Sequence, residues 1–316
     1  MRLLITGGAG CLGANLIDRY IDSRDMEIAV IDNFATGARA SLPEDAANLA
    51  IHEGSIADRE TVDRLFDEFR PTHVIHSAAA YKDPENWSED ADSNVLGSIY
   101  TAKAALRCDV KRFVNFQTAL CYGRPNEVPI PIDHPTAPFT SYGISKTAGE
   151  QFVLMSRLNA VSLRLANITG PRLSIGPIPT FYTRLKAGKG CFCSDTVRDF
   201  MDMDDFFSIM DLALKDDAPT GIFNVSTGEG KSIKDVFDQV VDYLGVTLEE
   251  DVPIVAPGDD DVPAVVLDPS ETERAFGWKA AVSFGDTIRK MLTWYDEYGV
   301  KEVYAHLKKP NLTGEA

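Results

Sequence analysis

Arg2-Leu3-Leu4-Ile5-Thr6-Gly7-Gly8-Ala9-Gly10-Cys11-Leu12-Gly13, at the start of the chain, decides the fold. Arg2–Thr6 reads as a short apolar strand, the glycines as a tight turn, and the residues after them as the start of a helix. In a strand–turn–helix unit of this kind Gly7 permits the turn, Gly10 lets the backbone approach a pyrophosphate, and Gly13 lets the helix pack close to the sheet. Free N–H groups and the dipole at the helix N-terminus favour phosphate. The spacing is GxxGxxG, not the GxGxxG of the common dehydrogenase pattern. A glycine-rich turn can serve any strand-to-helix connection; its place at the first strand of a βαβ unit makes this one a dinucleotide site.

Outward from that turn, short apolar strands alternate with helical stretches. Strands are predicted at Arg2–Thr6, Glu27–Asp32, Leu49–Glu53, Thr72–Ser77, Lys111–Gln117 and Ala160–Ala166. Val62, Leu65, Phe66 and Phe69 follow helical spacing. Further helices are predicted from about Glu89 to Leu106 and from about Tyr142 to Arg157. Strands rich in Val, Ile and Leu between helices imply a parallel sheet covered on both faces, and right-handed crossovers make it doubly wound. The expected fold is α/β, a Rossmann sheet with a smaller C-terminal substrate-binding part. Past Gly170, Pro171, Pro177 and Pro179 break the pattern. A strand at Gly221–Val225, a helix at Ser232–Leu244 and an amphipathic helix at about Phe284–Tyr298 follow. The expected division is 1–170 with about 219–250 for the cofactor, and 171–218 with about 251–316 for the substrate.

Composition bounds the function. A chain of 316 residues can bury a sizeable core. Its net charge of −17 excludes a basic nucleic-acid footprint, yet a phosphorylated ligand can still be held by backbone N–H groups and one or two arginines. No apolar run is long enough to span a bilayer, and the chain opens on a strand and not on a secretory signal, so the expected location is the cytoplasm. The five cysteines are scattered. Cys191-Phe192-Cys193 is one residue too tight for a CxxC pair and no His cluster accompanies it, so neither a disulfide framework nor a metal site is expected.

Three positions bring chemistry to the sheet edge. Asp32 ends the second strand, 19 residues after Gly13. A carboxylate there accepts hydrogen bonds from an adenosine ribose and repels a 2′-phosphate, which points to NAD over NADP. Tyr142 and Lys146 in Tyr142-Gly143-Ile144-Ser145-Lys146 share a helix face, where the ammonium favours the phenolate that a general base needs. Thr118 ends the fifth strand, where a hydroxyl can hydrogen-bond a substrate oxygen. Each alone is common: a strand-end Asp or Thr, a surface YxxxK. Together with the glycine turn they form a set.

With these residues in place, the chain resembles the extended short-chain dehydrogenase/reductase family of nucleotide-sugar epimerases and dehydratases. The likeness runs through TGGAGCLG, VIDNFATG, HSAAAYKDP, SNVLGS, NFQTALCYG, SYGISKTAGE, LRLANITGPR, VRDFMDMDDF, FNVSTGEG and FGWKAAVSFGDTI. FQTALCYG and CFCSDTVRDF are similar to stretches of the Wbm-type proteins of bacterial O-antigen clusters. The resemblance implies that Gly7, Gly10, Cys11, Leu12 and Gly13 hold the NAD pyrophosphate and that Asp32, Asn33, Thr36 and Gly37 hold the adenosine ribose. Ser55 and Ile56 would flank the adenine, and Ala78, Ala79, Ala80 and Lys82 would line the path to the sugar. Tyr142 would be the base, assisted by Thr118, and Lys146 would bind the nicotinamide ribose. Lys82, Thr118, Asn167 and Arg198 would meet the substrate, the last two at its diphosphate. A homodimer through helices near 94–107 and 143–157 is also implied.

Two departures shape the expected reaction. Family members that perform 4,6-dehydration carry Thr-Asp-Glu where this chain has Thr118-Ala119-Leu120, and uronate decarboxylases resemble the pattern with Glu at the Leu120 position. Ala256 stands where relatives often have an Arg on a phosphate, leaving Arg198 or others such as Arg172 and Arg184 to grip the diphosphate. Epimerisation at C4 of a nucleotide-diphosphate sugar through a transient 4-keto intermediate needs one acid/base, one hydroxyl and a bound hydride carrier, and is the expected activity. The substrate class is a UDP-hexose, UDP-N-acetylhexosamine or UDP-uronic acid for surface polysaccharide synthesis; Lys82, Arg172 or Arg184 could meet a uronate. The alternatives are a dehydratase using Cys121 or Cys191, a 4-ketoreductase that exchanges its cofactor, and a non-catalytic NAD or nucleotide-sugar sensor.

Overall fold

The computed structural model of the chain describes residues 1–43, 45–258 and 261–300. Six strands come first: β1 (Arg2–Thr6), β2 (Glu27–Asp32), β3 (Leu49–Glu53), β4 (His73–His76), β5 (Arg112–Thr118) and β6 (Ala160–Leu165). Short β7 (Asn167–Thr169), β8 (Cys193–Ser194), β9 (Val197–Arg198) and β10 (Phe200–Asp202) precede β11 (Gly221–Val225). Then come β12 (Lys231–Ser232), β13 (Ile254–Val255) and β14 (Ala264–Val265). The main sheet is parallel and seven-stranded, in the order β3-β2-β1-β4-β5-β6-β11. This is the doubly wound arrangement expected, and the strand order reverses between β1 and β4, where ligands bind in such sheets.

The helices are α1 (Cys11–Tyr20), α2 (Arg59–Phe69), α3 (Trp87–Asp90), α4 (Gly97–Arg107), α5 (Ser141–Met155), α6 (Pro177–Lys186), α7 (Met203–Ala213), α8 (Ile233–Leu244), α9 (Ser270–Phe276) and α10 (Phe284–Tyr298). Local chemistry sets their ends. Asp58 caps α2 by accepting from the amides of Glu60 and Thr61. A reciprocal Ser232–Asp235 capping box starts α8, and Gly245 in the left-handed region ends it. Thr140 caps α5 by accepting from the Gly143 amide, which fixes where Tyr142 and Lys146 leave the helix.

Side chains alternate across the sheet, so Leu3 and Ile5 enter one core and Leu4 the other. The first core takes α1 and α7, through Leu16, Ile17, Phe206 and Ile209. The second takes α2 and α4, through Val62, Leu65, Phe66 and Ala105. A third core joins α6, α8 and α10 through Phe181, Phe237 and Met291. The packing thus divides two helices differently from the expected boundaries. α7, expected in the substrate part, buries its apolar face on the main sheet, and α8, expected with the cofactor part, packs against α6 and α10. Their amphipathic spacing shows that each has an apolar stripe without showing which core receives it. The expected helix from Glu89 to Leu106 is present but interrupted: Ala91–Leu96 is π-helical, between α3 and α4.

Charge is buried beneath α5. Glu150 and Arg164 form an ion pair at 2.8 Å with side chains 0% and 3% exposed. Ser162 donates to Glu150 at 2.6 Å, and the Asn115 amide donates to Ser162 at 2.9 Å. Removing one partner of such a pair strands the other. Glu150→Gln is expected to cost ~3 kcal/mol, while Glu150→Leu with Arg164→Met recovers at least half of that loss. Thermal and urea unfolding of the three proteins checks this; a Glu150→Gln variant as stable as the parent refutes it.

Candidate active site

A cavity of about 540 Å³ opens along the C-terminal ends of the parallel strands. It begins at the glycine turn, passes the ends of β4 and β5 and the start of α5, and reaches the N-terminus of α6 and Arg198. Gly7, Gly10, Cys11, Leu12, Gly13, Asp32, Asn33, Thr36, Ser55, Ile56, Ala78, Ala79, Ala80, Lys82, Thr118, Tyr142, Lys146, Asn167 and Arg198 all line it. Of the predicted site residues only Gly37 does not. A Cβ there would stand 2.7–2.9 Å from Ala9, so Gly37 packs directly against the glycine turn.

The glycine end fits a dinucleotide. Gly7 has φ +68°, and a Cβ there would meet the Ala78 Cα at 2.6 Å. At Gly13 a Cβ would meet the Gly7 carbonyl at 2.5 Å and the Gly8 Cα at 2.6 Å, so the close approach the glycine permits is between helix and turn, where the spacing predicted helix and sheet. At Gly10 the nearest heavy atom to a Cβ is the Gly7 oxygen at 3.3 Å; this backbone faces the cavity and a diphosphate can approach it. Asp32 braces the turn. Its two oxygens accept from the amides of Ala9 and Phe34, each at 2.8 Å, leaving further lone pairs toward the cavity. Burial raises its pKa against those hydrogen bonds.

The chemical end is framed from several elements. Thr118 Oγ1 accepts from the Leu120 amide at 3.1 Å. The Asn94 amide group bridges two walls: it accepts from the Ala80 N–H at 2.9 Å, donates to the Ala80 carbonyl at 2.9 Å and reaches Ser145 Oγ at 3.0 Å. Ser145 Oγ in turn donates to the Tyr142 carbonyl at 3.1 Å. The Tyr81 ring meets the Tyr142 ring edge-on with centroids 6.1 Å apart.

The electrostatics differ from the simple expectation that Lys146 makes the phenol acidic. Burial, and then the negative charge of Asp90, push the Tyr142 phenol up from its ordinary value. Burial pulls Lys146 down to about 8, with Glu150 opposing. His76, hydrogen-bonded to Thr6 and Ser98, is pushed down to about 3 by burial and then by Lys146, and stays neutral. In the protein alone Tyr142 is therefore protonated at neutral pH, and positive charge brought into the cavity would favour the phenolate.

At the far end, the Asn167 amides, backbone and side chain, both donate to the Asp199 carbonyl at 3.0 Å. Arg198 is held by the Val197 carbonyl at 2.8 Å and by an ion pair with Asp261. Arg172 and Arg184, the other arginines considered for a phosphate or carboxylate, do not line the cavity. Arg172 pairs with Asp18 and Arg184 binds the Gly190 carbonyl. Neither do Cys121 and Cys191. Burial pushes the Cys121 thiol up to about 12 and raises Cys191, which disfavours the thiolate at both. Asp259, next to Ala256-Pro257-Gly258, lies outside the described residues, as do 301–316 of the expected substrate part.

Sequence reasoning missed Asn94, Glu150 and Asp261. Glu150 stands four residues past Lys146 in SYGISKTAGE, so the helical repeat that paired Tyr142 with Lys146 carried a signal for it. Asn94 and Asp261 act across long separations and had none.

The chain matches the model of the NAD dependent epimerase/dehydratase family over residues 3–226. It is 67% identical to WbmG of Bordetella bronchiseptica, solved with NAD and UDP, covering 98% of this chain and 99% of that one with a TM-score of 0.93. WbmH of the same organism, solved with NAD+, is 38% identical over 95% of this chain and 99% of its own, with a TM-score of 0.88. A protein described as a putative UDP-glucose 4-epimerase of Methanocaldococcus jannaschii is 27% identical over 92% of this chain and 97% of its own.

The cradle at Gly10 yields a direct test. Gly10→Val keeps an allowed extended backbone but puts an isopropyl group into the cavity. NAD affinity, measured by calorimetry on cofactor-stripped protein, is expected to fall by about 100-fold or more, while the melting temperature of the stripped protein moves by no more than ~3 °C. Unchanged NAD affinity would place the dinucleotide elsewhere.

Proposed function

The chain belongs to the NAD-dependent epimerase/dehydratase family, and on that premise we propose that it inverts C4 of a UDP-linked sugar, Tyr142 acting as acid/base. The observation that carries this reading is the wall beside Thr118. Tyr142, Lys146 and Thr118 share one cavity, and the two positions after Thr118, where dehydration would need an acid and a base, present Ala119 and Leu120 to it. The thiols considered as substitutes do not reach the cavity.

Gly7, Gly10, Cys11, Leu12 and Gly13 would hold the cofactor's pyrophosphate, Asp32, Asn33 and Thr36 its adenosine ribose, and Ser55 and Ile56 its adenine. Bound NAD supplies a hydride acceptor at C4 and then the donor. Tyr142 takes the proton of the 4-hydroxyl, the Thr118 hydroxyl donates to the same oxygen, and the sugar becomes a 4-keto species. Lys146 would hold the nicotinamide ribose, and its charge would favour the phenolate. After the sugar turns over, Tyr142 returns the proton to O4. Asn167 and Arg198 grip the diphosphate, which anchors the substrate while its sugar rotates. Ala78, Ala79, Ala80 and Lys82 line the approach, and a uronate carboxylate would meet Lys82.

We place the enzyme in the cytoplasm, in surface polysaccharide synthesis, as a homodimer. The dimer is supported by exposed apolar side chains on neighbouring helical surfaces: Leu96 beside α4, and Ile144, Phe152 and Met155 on α5, the last 71% exposed.

Purified protein given UDP-hexoses, UDP-N-acetylhexosamines and UDP-uronic acids should yield C4 epimers, read by NMR, without added NAD. Release of water or carbon dioxide, or net NADH consumption, would refute the reading. Tyr142→Phe should lose about 10²–10⁴-fold in kcat with folding intact. The pH profile follows from Lys146: its ammonium form is lost above about 8, so kcat/KM should fall on the alkaline side near pH 8. In Lys146→Arg, whose guanidinium does not titrate there, that limb should move beyond pH 10. An unchanged limb in Lys146→Arg would assign it to another group.

A further inference from the structure

Thr118 ends a strand and Lys146 sits in a helix that begins 23 residues later in the chain. One buried side chain spans the gap. Gln117 Nε2 donates to the Lys146 carbonyl at 3.0 Å, and Gln117 Oε1 accepts the Thr118 amide N–H at 2.7 Å. The amide thus uses a donor on the helix and its acceptor on the strand end. A second bond steadies Thr118 from the other side, where its Oγ1 accepts the Leu120 N–H at 3.1 Å. With that oxygen's orientation set, its proton remains to be donated. Serine or alanine at 117 would be too short to make the bridge and would leave the Thr118 amide without this partner.

We propose that Gln117 is a positioning residue: its amide fixes the Thr118 hydroxyl relative to the Tyr142–Lys146 turn of α5, so that Thr118 and Tyr142 meet the same sugar oxygen. This rests on the roles given above to Thr118, Tyr142 and Lys146. Gln117 lies within the FQTALCYG stretch, and the bridge gives the glutamine a task that the catalytic set alone does not. Positioning to within a fraction of an ångström governs the rate of a proton transfer more than it governs binding, so the effect belongs in kcat.

The test uses the NAD-loaded full-length protein and whichever UDP-sugar it epimerises. Gln117→Met keeps the volume and removes both hydrogen bonds. It should lower kcat by about 10–100-fold, with KM within about 3-fold and NAD content unchanged. Thr118→Val should also lower kcat, and the double variant should be little slower than Thr118→Val alone, because both remove the same interaction. Gln117→Glu serves as the second variant, in case Gln117→Met does not fold. Its carboxylate repels the Lys146 carbonyl when ionised and can donate to it when protonated, so its kcat relative to the parent should rise as pH is lowered from 8 to 6. Parent-like kcat in Gln117→Met, fully multiplicative losses in the double variant, or a pH-independent Gln117→Glu ratio overturns the inference while leaving the C4 reading intact. A parent that epimerises no UDP-sugar, or a fully active Thr118→Val, defeats the underlying reading, and the inference falls with it.

Discussion

Lys146 is buried on the inner face of α5, and burial pulls its pKa down to about 8 even with the charge of Glu150 opposing. Holding an ammonium there requires negative charge nearby without a carboxylate that captures it outright. Glu150, one helical turn further on, supplies that charge while its oxygens are already engaged by Arg164 and Ser162. Arg164 in turn lies over the Tyr122 ring, 4.8 Å from its centroid, and Tyr122 donates to Asn224 at 2.8 Å. The helix that carries the chemistry is therefore fastened to β5, β6 and β11 by one chain of buried polar contacts. A buried ion pair adds little net stability over an apolar replacement, so its value here is the charge it leaves beside Lys146 and the orientation it imposes on α5.

The same constraint explains the neutral groups around it. His76 could have carried a competing cation, but it has no water around it, and Thr6 and Ser98 satisfy its two nitrogens. Asp90, buried and hydrogen-bonded to Ser141, adds negative charge near Tyr142 and helps keep the phenol protonated in the protein alone. On the proposed mechanism, a phenol held in reserve in this way would ionise only when positive charge arrives in the cavity, and proton removal would be tied to loading of the site.

Most of the architecture was legible because it rests on local rules. Apolar runs of four to seven residues between glycines and helical repeats gave all seven main-sheet strands within a residue or so, and the glycine spacing gave the tight contacts at Gly7 and Gly13. The cavity gathers nearly every predicted site residue because these stand at strand ends, where a parallel sheet exposes its ligands. Failures share a different cause. Arg172 and Arg184 are cations of the right type whose partners, Asp18 and the Gly190 carbonyl, are set by tertiary packing. The π-helical turn at Ala91–Leu96 has no local sequence signal, and its Asn94 makes nonlocal bonds to the Ala80 backbone and Ser145. The cores chosen by α7 and α8 were hidden for the same reason.

A 4-epimerase has an unusual demand among enzymes of this fold: its intermediate must present both faces to one hydride carrier. Tight hydrogen bonding around the whole sugar would defeat that. Here the polar groups are unevenly spread. Arg198, held by Asp261, and Asn167, held by the Asp199 carbonyl, stand fixed at one end of the cavity, where on the proposed reading they would grip a diphosphate. Beside Thr118 the lining residues are Ala119 and Leu120, whose side chains carry no hydrogen-bonding group for a ring hydroxyl. A sugar tethered by its diphosphate and facing apolar side chains loses little by rotating, while the single oxygen at C4 returns to the same phenol in either orientation. On the proposed reading, replacing those two side chains with an acid and a base would hold the ring in one pose and equip it for elimination, so the same two positions would decide between turning the sugar over and removing water from it.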